Sequence, residues 1–233
     1  MNVAIMQPYF FPYIGYFQLI HSVDLFVLYD NVKYTKKGWV NRNRILINGQ
    51  ASTCTLPLRK QSDYLDIRDR EIAESFDKVK FLNQIKGAYG KAPYFIPTYA
   101  LIEKIINFDE QNLFRYLHLA LKEICRTLNI STVIKVSSEI EADHTLKGQS
   151  RVIAICKAVG ASSYINASGG QDLYSSNDFN EEDLALNFIL PEPTCYPQFG
   201  DRYVPWLSII DVMMFNSVEV INQDLLVRYK LVR

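Results

Sequence analysis

Two arginines, Arg42 and Arg44, have the residue type and spacing that suit phosphate binding. They stand in the run WVNRNR, which leads into a hairpin signal at Asn48-Gly49. Side chains two positions apart on a strand share a face and lie ~7 Å from each other, and each guanidinium can hold a phosphate through two hydrogen bonds. The pair predicts a diphosphate clamp. Two ordinary arginines on a solvated edge strand are the alternative.

Amide, hydroxyl, aromatic and ammonium side chains that could hold the rest of such a ligand lie in four segments at predicted strand ends or helix starts and on the strand that carries the arginines. The four segments are 7–12, 30–39, 168–172 and 196–198. Amides can pair with a sugar or base edge, and aromatic rings can stack on one. Two glycines after a predicted strand free backbone N–H groups that could cradle a phosphate or an oxyanion, although a Gly-Gly turn is ordinarily structural. Besides the arginine pair, the predicted substrate-binding residues are Gln7, Tyr9, Lys36, Trp39, Asn41, Asn43, Ser168, Gly169, Gly170, Tyr196 and Gln198.

Three side chains are candidates for catalytic proton transfer. Asp30 follows a predicted buried strand, and His144 is the histidine best placed to titrate because it lies in a polar loop. Asp211 interrupts a nearly all-apolar helix. A buried aspartate is costly unless it has partners, so Asp211 either ties down a loop or takes part in catalysis.

The hydrophobic pattern predicts an α/β fold with three layers around a mostly parallel, Rossmann-like sheet, together with a β-hairpin and a three-helix insertion. One domain is predicted over residues 1–233, with the insertion at about 75–128 and helix caps at Ser75 and Asp109. The predicted strands cover 2–6, 25–28, 41–47, 51–58, 132–136, 163–166 and 184–190, and the helices outside the insertion cover 12–21, 149–159 and 207–216.

The loops after the predicted parallel strands should meet at one edge of the sheet. Pro12 disfavours helical backbone at Phe11, so the loop after the first strand is predicted to be extended and stiff. Parallel sheets collect ligand groups at the carboxyl ends of their strands. The sequence therefore predicts one shared pocket, lined by Gln7, Asp30, Ser168 and Gln198, with Arg42 or Arg44 at its rim. Loops scattered over the surface are the alternative.

Composition excludes several classes of protein. Lys plus Arg and Asp plus Glu are both 25, so the formal net charge is zero and no global field draws the chain to nucleic acid. No apolar run reaches the ~18 residues of a membrane-spanning helix, so membrane insertion is not expected. Four dispersed cysteines and three isolated histidines predict reduced thiols, no metal site and a cytoplasmic location. An oligomer remains open.

Five runs, in chain order, resemble the signature blocks of the WbqC-like family, which is associated with bacterial O-antigen (lipopolysaccharide) and other surface-polysaccharide gene clusters. They are MQPYFFPYIGYFQLI, VDLFVLYDNVKYTKKGWVNRNRI, GAYGKAPYF, YINASGGQDLY and YPQFGDRYVPWLSIIDVMMFN. The resemblance implies an enzyme that decorates an amino sugar. Acyl or aminoacyl (glycyl-type) transfer is the reaction it implies, with a nucleotide-linked amino sugar as substrate and an acyl or aminoacyl donor as the second reactant.

Two other functions stay open at this point. The order of strand, proline, short loop and helix is similar to that of the HIGH-type nucleotidylyltransferases, which suggests an ATP-dependent ligase or nucleotidylyltransferase. The paired histidines of that motif are absent, however, because Ile14-Gly15-Tyr16 stands at the helix start. The other alternative is a non-catalytic protein that binds a nucleotide sugar, which a weakly charged pocket with no general base near the ligand would favour.

Overall fold

The structure, a computed structural model, describes residues 1–200 and 202–233. In that part of the chain the strands are β1 (Asn2–Met6), β2 (Leu25–Leu28), β3 (Arg42–Ile47), β4 (Gln50–Thr55), β5 (Val133–Val136), β6 (Ser163–Ala167), β7 (Ala185–Pro191) and β8 (Tyr229–Val232). The α-helices are α1 (Ile14–His21), α2 (Lys78–Tyr89), α3 (Phe95–Ile106), α4 (Leu113–Thr127), α5 (Gly148–Ala158), α6 (Ser176–Asn180), α7 (Ile209–Phe215) and α8 (Val218–Val220). Short 3-10 helices cover Ile67–Asp69, Ser137–Glu139 and Ser168–Leu173, and a π-helical turn covers Ile221–Leu225.

Six strands form one sheet in the order β5-β2-β1-β6-β7-β8. Neighbouring strands from β5 to β7 are parallel, and β8 runs antiparallel to β7. The strand order reverses between β1 and β6, which is where doubly wound sheets open a crevice for ligands. The predicted α/β fold with a mostly parallel sheet is confirmed.

Helices cover both faces of the sheet. Val3 and Ile5 of β1 pack in one core with α5 and α6, whereas Ala4 packs on the opposite face with α1, α7 and the three helices α2 to α4. All four residues of β2 are buried, as expected for a strand that is covered on both faces. Full burial of each large apolar side chain stabilises the fold by roughly 1.5–3 kcal/mol. The two cores therefore hold the carboxyl edge of the sheet in place.

The predicted hairpin forms a separate two-stranded sheet. β3 and β4 pair antiparallel around Asn48 and Gly49, whose φ angles of 50° and 73° are those that a tight hairpin loop requires. Ile45 and Leu46 of β3 are buried against the core that contains α2, α3 and α4. Packing against that core positions the arginines and asparagines of β3 beside the loop that follows β1.

Two of the helix caps differ from the prediction. Asp77 and Asn112, not Ser75 and Asp109, cap α2 and α4, and each side chain accepts a hydrogen bond from the backbone N–H three residues later, at 2.8 Å and 3.0 Å. The helices start two or three residues later than predicted because a short Asx side chain directly before the helix satisfies its orphan amides. Between α2 and α4, α3 starts at Phe95, two residues after Pro93.

All four cysteines are free. Cys54, Cys125 and Cys156 are buried, and burial raises the pKa of each of these thiols to about 12. These thiols are therefore protonated and unreactive at neutral pH. Cys195 is exposed. No helix formed by residues 1–200 or 202–233 is both long and apolar enough to span a membrane.

Candidate functional site

The loops after β1 and β6 leave the sheet side by side. Asn2 pairs with Ser163 and Val3 with Tyr164, and this register, continued along the strands, places Gln7 and Ser168 at the same edge. β1 pairs with β6 over these two positions but with β2 over four, so β1 and β6 separate toward their carboxyl ends. The crevice of a doubly wound sheet lies at this point.

The glycine segment after β6 is not the open loop that the sequence predicts. Ser168, Gly169 and Gly170 begin a 3-10 helix that continues to Leu173. Gly170 is buried, and a Cβ atom at this position would lie 2.4 Å from Nδ2 of Asn166. Close packing against β6 therefore explains Gly170, whereas Gly169 is exposed with open space around it. A role for Ser168 and Gly169 in binding stays a prediction.

The segment after β1 is held in an unusual backbone conformation. Phe11 has a φ of +43°, although Pro12 follows it and an extended conformation was predicted. The Phe10 and Phe11 carbonyls accept hydrogen bonds from the Asn43 amide at 3.1 Å and 2.8 Å, and the Phe11 carbonyl accepts another from the Ser208 hydroxyl at 2.7 Å. A bulky residue at positive φ costs on the order of 1–3 kcal/mol, and such strain is concentrated at functional sites.

The amides of β3 and the residue before it support the backbone instead of remaining free for a ligand. Asn43 is buried, and its Oδ1 also accepts a hydrogen bond from the Arg44 N–H at 2.8 Å. Asn41 accepts a hydrogen bond from the Tyr34 hydroxyl and donates one to the Leu56 carbonyl, both at 2.8 Å. Asn43 therefore fixes the β1 loop, and Asn41 fixes the hairpin.

A buried hydrogen-bond network surrounds Asp211, which has no solvent exposure. Its Oδ1 accepts from the Tyr196 hydroxyl at 2.7 Å and the Gln198 amide at 2.6 Å, and its Oδ2 accepts from the Tyr89 hydroxyl at 2.9 Å. Burial raises the pKa of Asp211, against the lowering effect of these three donors. We call these four residues the Asp211 network.

The Asp211 network ties the segment before α7 to the core. The Gln198 Nε2 also donates a hydrogen bond to the Val204 carbonyl, and its Oε1 accepts one from the Val204 N–H. The Tyr89 hydroxyl also accepts a hydrogen bond from the Leu46 N–H of β3 at 2.8 Å. These bonds explain why an aspartate is tolerated on a buried apolar helix: Asp211 ties the segment before α7 to the core. Catalytic work by Asp211 stays a prediction, as does ligand binding by Tyr196 and Gln198.

A cavity of about 260 Å³ lies between the β1 loop, the start of β3 and the segment before α7. We call it the aromatic cleft. Trp39 and Trp206 are 40% and 59% exposed, and Trp206 has a φ of +60°. The Arg44 guanidinium lies 5.5 Å from the centre of the Trp39 ring. The residues that line the cleft are Tyr9, Tyr13, Trp39, Asn43, Arg44 and Trp206.

Arg44 is the cation of the aromatic cleft, and its guanidinium carries five N–H donors. Among the described residues, one Nη donates to the Trp206 carbonyl at 3.1 Å. The buried Nε has no partner there, and the remaining Nη donors are the ones that a ligand could use. The Arg42 guanidinium also lies over the Trp39 ring, 5.7 Å from its centre, but it donates to the carbonyls of Lys37 and Gly38. The two arginines therefore share a ring but differ in how many donors remain free, and the diphosphate clamp stays a prediction.

The remaining predicted residues lie outside the aromatic cleft. Lys36 forms an exposed ion pair with Asp63 at 2.7 Å. Asp30 is buried and accepts hydrogen bonds from the Ser138 N–H at 2.9 Å and the Ser138 hydroxyl at 2.7 Å. It lines a separate cavity of about 460 Å³, and His144 lines another of about 520 Å³. The predicted site residues thus divide among several cavities, whereas the sequence predicted one shared pocket.

An apolar cavity of about 310 Å³ adjoins the aromatic cleft. Tyr13 and Trp206 line both cavities, and their rings meet edge to face with centroids 5.9 Å apart. Tyr196 and the exposed Cys195 also line the apolar cavity. A Cβ atom on Gly15 would lie 2.4 Å from the Tyr13 ring, so the glycine at the first turn of α1 makes room for this shared wall.

A family model described as the WbqC-like protein family matches residues 7–223. The chain belongs to the WbqC-like protein family. It is also 28% identical over 220 residues to an uncharacterized protein of Mycobacterium tuberculosis, Rv1507c, in an alignment that covers 92% of this chain and 93% of that protein. The WbqC-like match begins at Gln7, directly after β1, and contains every residue of the aromatic cleft.

Sequence reasoning missed two residues of the cleft in this WbqC-like protein, Tyr13 and Trp206. A compositional signal for Trp206 existed, since the chain has only two tryptophans and Trp39 was already a candidate. The structure brings them together through a β-bridge between Tyr13 and Ser208. No group of three or more metal-ligating side chains occurs in the described residues.

Proposed function

We propose that this chain is a transferase of O-antigen or other surface-polysaccharide biosynthesis, which passes an acyl or aminoacyl (glycyl-type) group to the amine of a nucleotide-linked amino sugar. One observation carries the proposal: Tyr9, Trp39, Arg44 and Trp206 converge on a single cleft. Exposed aromatic rings offer stacking surfaces to a sugar or base, and the guanidinium offers a forked donor to a phosphate. A cytoplasmic location belongs to the same proposal.

The size of the aromatic cleft limits what it can enclose. At about 260 Å³ it is slightly smaller than typical small-molecule pockets, which start near ~300 Å³. It therefore suits one sugar ring or one base, with the rest of a nucleotide sugar extending outside. Burial raises the pKa of Tyr9, so at neutral pH its hydroxyl is a hydrogen-bond donor toward such a ligand.

The adjoining apolar cavity supports the transfer reaction. Its lining is mainly aromatic, proline and aliphatic side chains, and it shares the wall of Tyr13 and Trp206 with the aromatic cleft. An acyl group bound there would lie beside a sugar in the cleft. As the sugar nitrogen forms its bond to the acyl carbon, the bond between that carbon and the donor's carrier breaks. The carrier leaves with one of the two protons that the sugar ammonium loses, and Asp30, His144 and Asp211 stay the predicted candidates to accept the other.

A second candidate is a non-catalytic protein that binds a nucleotide sugar. One observation favours it: among the described residues, those that line the aromatic cleft include no carboxylate and no imidazole. Such a protein would hold the sugar by stacking and by Arg44 and would present it to an enzyme.

Calorimetry and mass spectrometry separate the two candidates. The protein is titrated with a panel of nucleotide-linked amino sugars, and each ligand that binds is then incubated with acyl and aminoacyl donors. If the chain is a transferase, calorimetry should show saturable binding, and mass spectrometry should show a sugar product whose mass is increased by the acyl group. If the chain is a binding protein, calorimetry should show the same binding, but no acylated product should form. Absence of saturable binding by any member of the panel would contradict both candidates.

Trp39→Ala is the matched variant for these experiments. It removes a partly exposed ring that lines the cleft, so binding should weaken by about tenfold while the fold is retained. Tyr64→Ala is the control because it removes an aromatic ring that is 84% exposed and lies outside the cleft. Equal affinity of the two variants would count against the cleft as the binding site.

A further inference from the structure

The cavity of about 520 Å³ that His144 lines is polar and opens at the carboxyl edge of the sheet. It lies between the residues that follow β2, the loop that follows β5 and the start of α5. Four of its lining side chains are cationic, namely Lys33, Arg68, Lys147 and Arg151, and Asp66 is the one acidic residue among those described there. The protein as a whole has a formal net charge of zero, so this cavity concentrates positive charge locally. We call it the basic cavity.

Arg151 is held in the basic cavity by neutral partners. One Nη donates to the Asn31 carbonyl at 3.0 Å, the other lies 3.3 Å from Nδ1 of His144, and the guanidinium lies 5.2 Å from the centre of the Tyr29 ring. Its Nε is buried without a hydrogen-bond partner, and no carboxylate of residues 1–200 or 202–233 forms a salt bridge with it. A partly buried guanidinium without a salt-bridged carboxylate is costly unless an anion binds beside it.

Neighbouring groups fix the orientation of this arginine. Nε2 of His144 must donate to the Ile140 carbonyl, at 2.9 Å, because a carbonyl can only accept. Nδ1 is then the acceptor, facing the Asn31 amide at 3.1 Å and the Arg151 guanidinium. Asn31 is oriented in turn by the Ser137 hydroxyl, which donates to its Oδ1 at 3.0 Å. His144 therefore acts here as a neutral positioning residue for Arg151.

The remaining walls of the basic cavity also favour an anion. Lys147 is exposed, and the structure records no ion pair for it within the described chain. It precedes the first residue of α5, whose N-terminal amides carry a partial positive charge. Asp66 opposes this positive charge, but burial raises its pKa against the lowering effect of Arg68 and Arg151.

We propose that the basic cavity binds the phosphate or diphosphate group of a phosphorylated ligand, with Arg151 and Lys147 as its anchors. A guanidinium can bind a phosphate through two parallel hydrogen bonds, and a lysine adds a mobile point charge. This inference goes beyond the proposed function because it does not depend on the aromatic cleft. The diphosphate of a nucleotide-linked sugar and the phosphate of a second substrate share this chemistry.

Calorimetric titration with inorganic pyrophosphate tests the basic cavity directly. We expect saturable binding that weakens as the salt concentration rises. Arg151→Gln should weaken the binding by about tenfold and Lys147→Gln by about threefold, because each removes one charge–phosphate contact. Lys147 is exposed, so Lys147→Gln gives a readable result even if Arg151→Gln fails to fold. Lys122→Gln, on the exposed side of α4, is the control and should leave the affinity unchanged. Absence of saturable heat, or equal affinities for Lys147→Gln and Lys122→Gln, would overturn the proposal.

Tryptophan fluorescence identifies the source of the phosphate. Both tryptophans line the aromatic cleft, so a ligand confined to the basic cavity should bind without changing their emission. Pyrophosphate that competes with a nucleotide sugar supports one ligand that spans the two cavities, whereas simultaneous binding supports a second phosphorylated substrate. Failure of the proposed function would leave pyrophosphate binding intact, and failure of this inference would leave the response of the cleft to sugars intact.

Discussion

The Asp211 network and the aromatic cleft each take residues from the segment before α7, namely Tyr196 and Gln198 in the network and Trp206 in the cleft, but the two groups use their side chains in opposite ways. Within the network, three donors meet one carboxylate and the Gln198 amide is fully engaged. Within the cleft, the structure records one hydrogen bond for the five N–H donors of Arg44 among the described residues, and both tryptophans are exposed. The network is complete without a ligand, whereas the cleft has capacity left for one.

This difference separates stability from binding among residues of similar chemistry. Polar side chains that are saturated inside the protein should affect the free energy of unfolding when they are changed. Side chains with spare donors or exposed rings should affect ligand affinity with little change in stability. Both expectations can be checked by single substitutions with matched controls.

Asp211→Ala should cause the largest loss of stability. Removal of the carboxylate leaves the Tyr89 and Tyr196 hydroxyls and the Gln198 amide without their acceptor, so we expect a loss of about 3 kcal/mol or more in the free energy of unfolding. Urea denaturation provides the measurement. Asp109→Ala, at an exposed aspartate, should stay within about 0.5 kcal/mol of the parent. A loss below about 1 kcal/mol for Asp211→Ala would show that the network contributes little.

Asn43→Ala should destabilise the protein by about 2 kcal/mol, because it leaves the Phe10 carbonyl and the Arg44 N–H unpaired in the interior. The Phe11 carbonyl keeps its hydrogen bond from Ser208. Thermal and urea unfolding of this variant are compared with Asn180→Ala, which changes an exposed asparagine. Equal stability of the two variants would mean that Asn43 does not hold the strained β1 loop.

Arg44→Lys should reduce the affinity for a nucleotide-linked amino sugar by about tenfold while stability changes by less than about 0.5 kcal/mol. The reason is that lysine keeps the charge but loses the fork. Arg42→Lys is the matched control because Arg42 lies on the same Trp39 ring and already donates to two backbone carbonyls. A symmetric diphosphate clamp predicts equal losses in both variants, so calorimetry of the pair distinguishes the clamp from a single cation in the cleft.

The smallest expected effect is a pH-dependent difference in the free energy of unfolding between the parent and Asp211→Asn. Burial raises the pKa of Asp211 above its usual 3.8, so the folded state takes up this proton more readily than the unfolded state. Stability linked to Asp211 therefore increases as pH falls through the raised pKa toward 3.8 and is lost as pH rises. The unfolding free energy of the parent minus that of the variant should grow on acidification from about pH 7 to about pH 4. A flat difference would contradict the raised pKa.

The sequence predicts the central strands well because burial on both faces leaves a continuous apolar run, as in Leu25–Leu28. It did not predict β8, Tyr229–Val232, because an edge strand with a lysine lacks that run. Alternation separated Arg44 from Asn43, but it could not show that Asn43 is the buried one. Residue type thus identified the candidates, and tertiary packing assigned their roles.

The positions that depend on contacts between distant segments were beyond the sequence. Tyr89 and Asp211 are 122 positions apart and meet only through the packing of α2 against β3 and α7. Arg151 contacts His144 seven positions away, but it donates to the Asn31 carbonyl across 120 positions. Lys147 and Arg151 did carry a local signal, since two cations four positions apart at a helix start share one face.

The central claim is that the aromatic cleft binds a nucleotide-linked amino sugar, and tryptophan fluorescence during titration with that ligand tests it most directly. The chain has only two tryptophans, and both line the cleft. We predict a saturable change in emission that decreases in Trp39→Phe and in Trp206→Phe, and that shifts to about tenfold higher ligand concentration in Arg44→Lys. Saturable binding by calorimetry with unchanged tryptophan emission would place the ligand elsewhere and contradict the account.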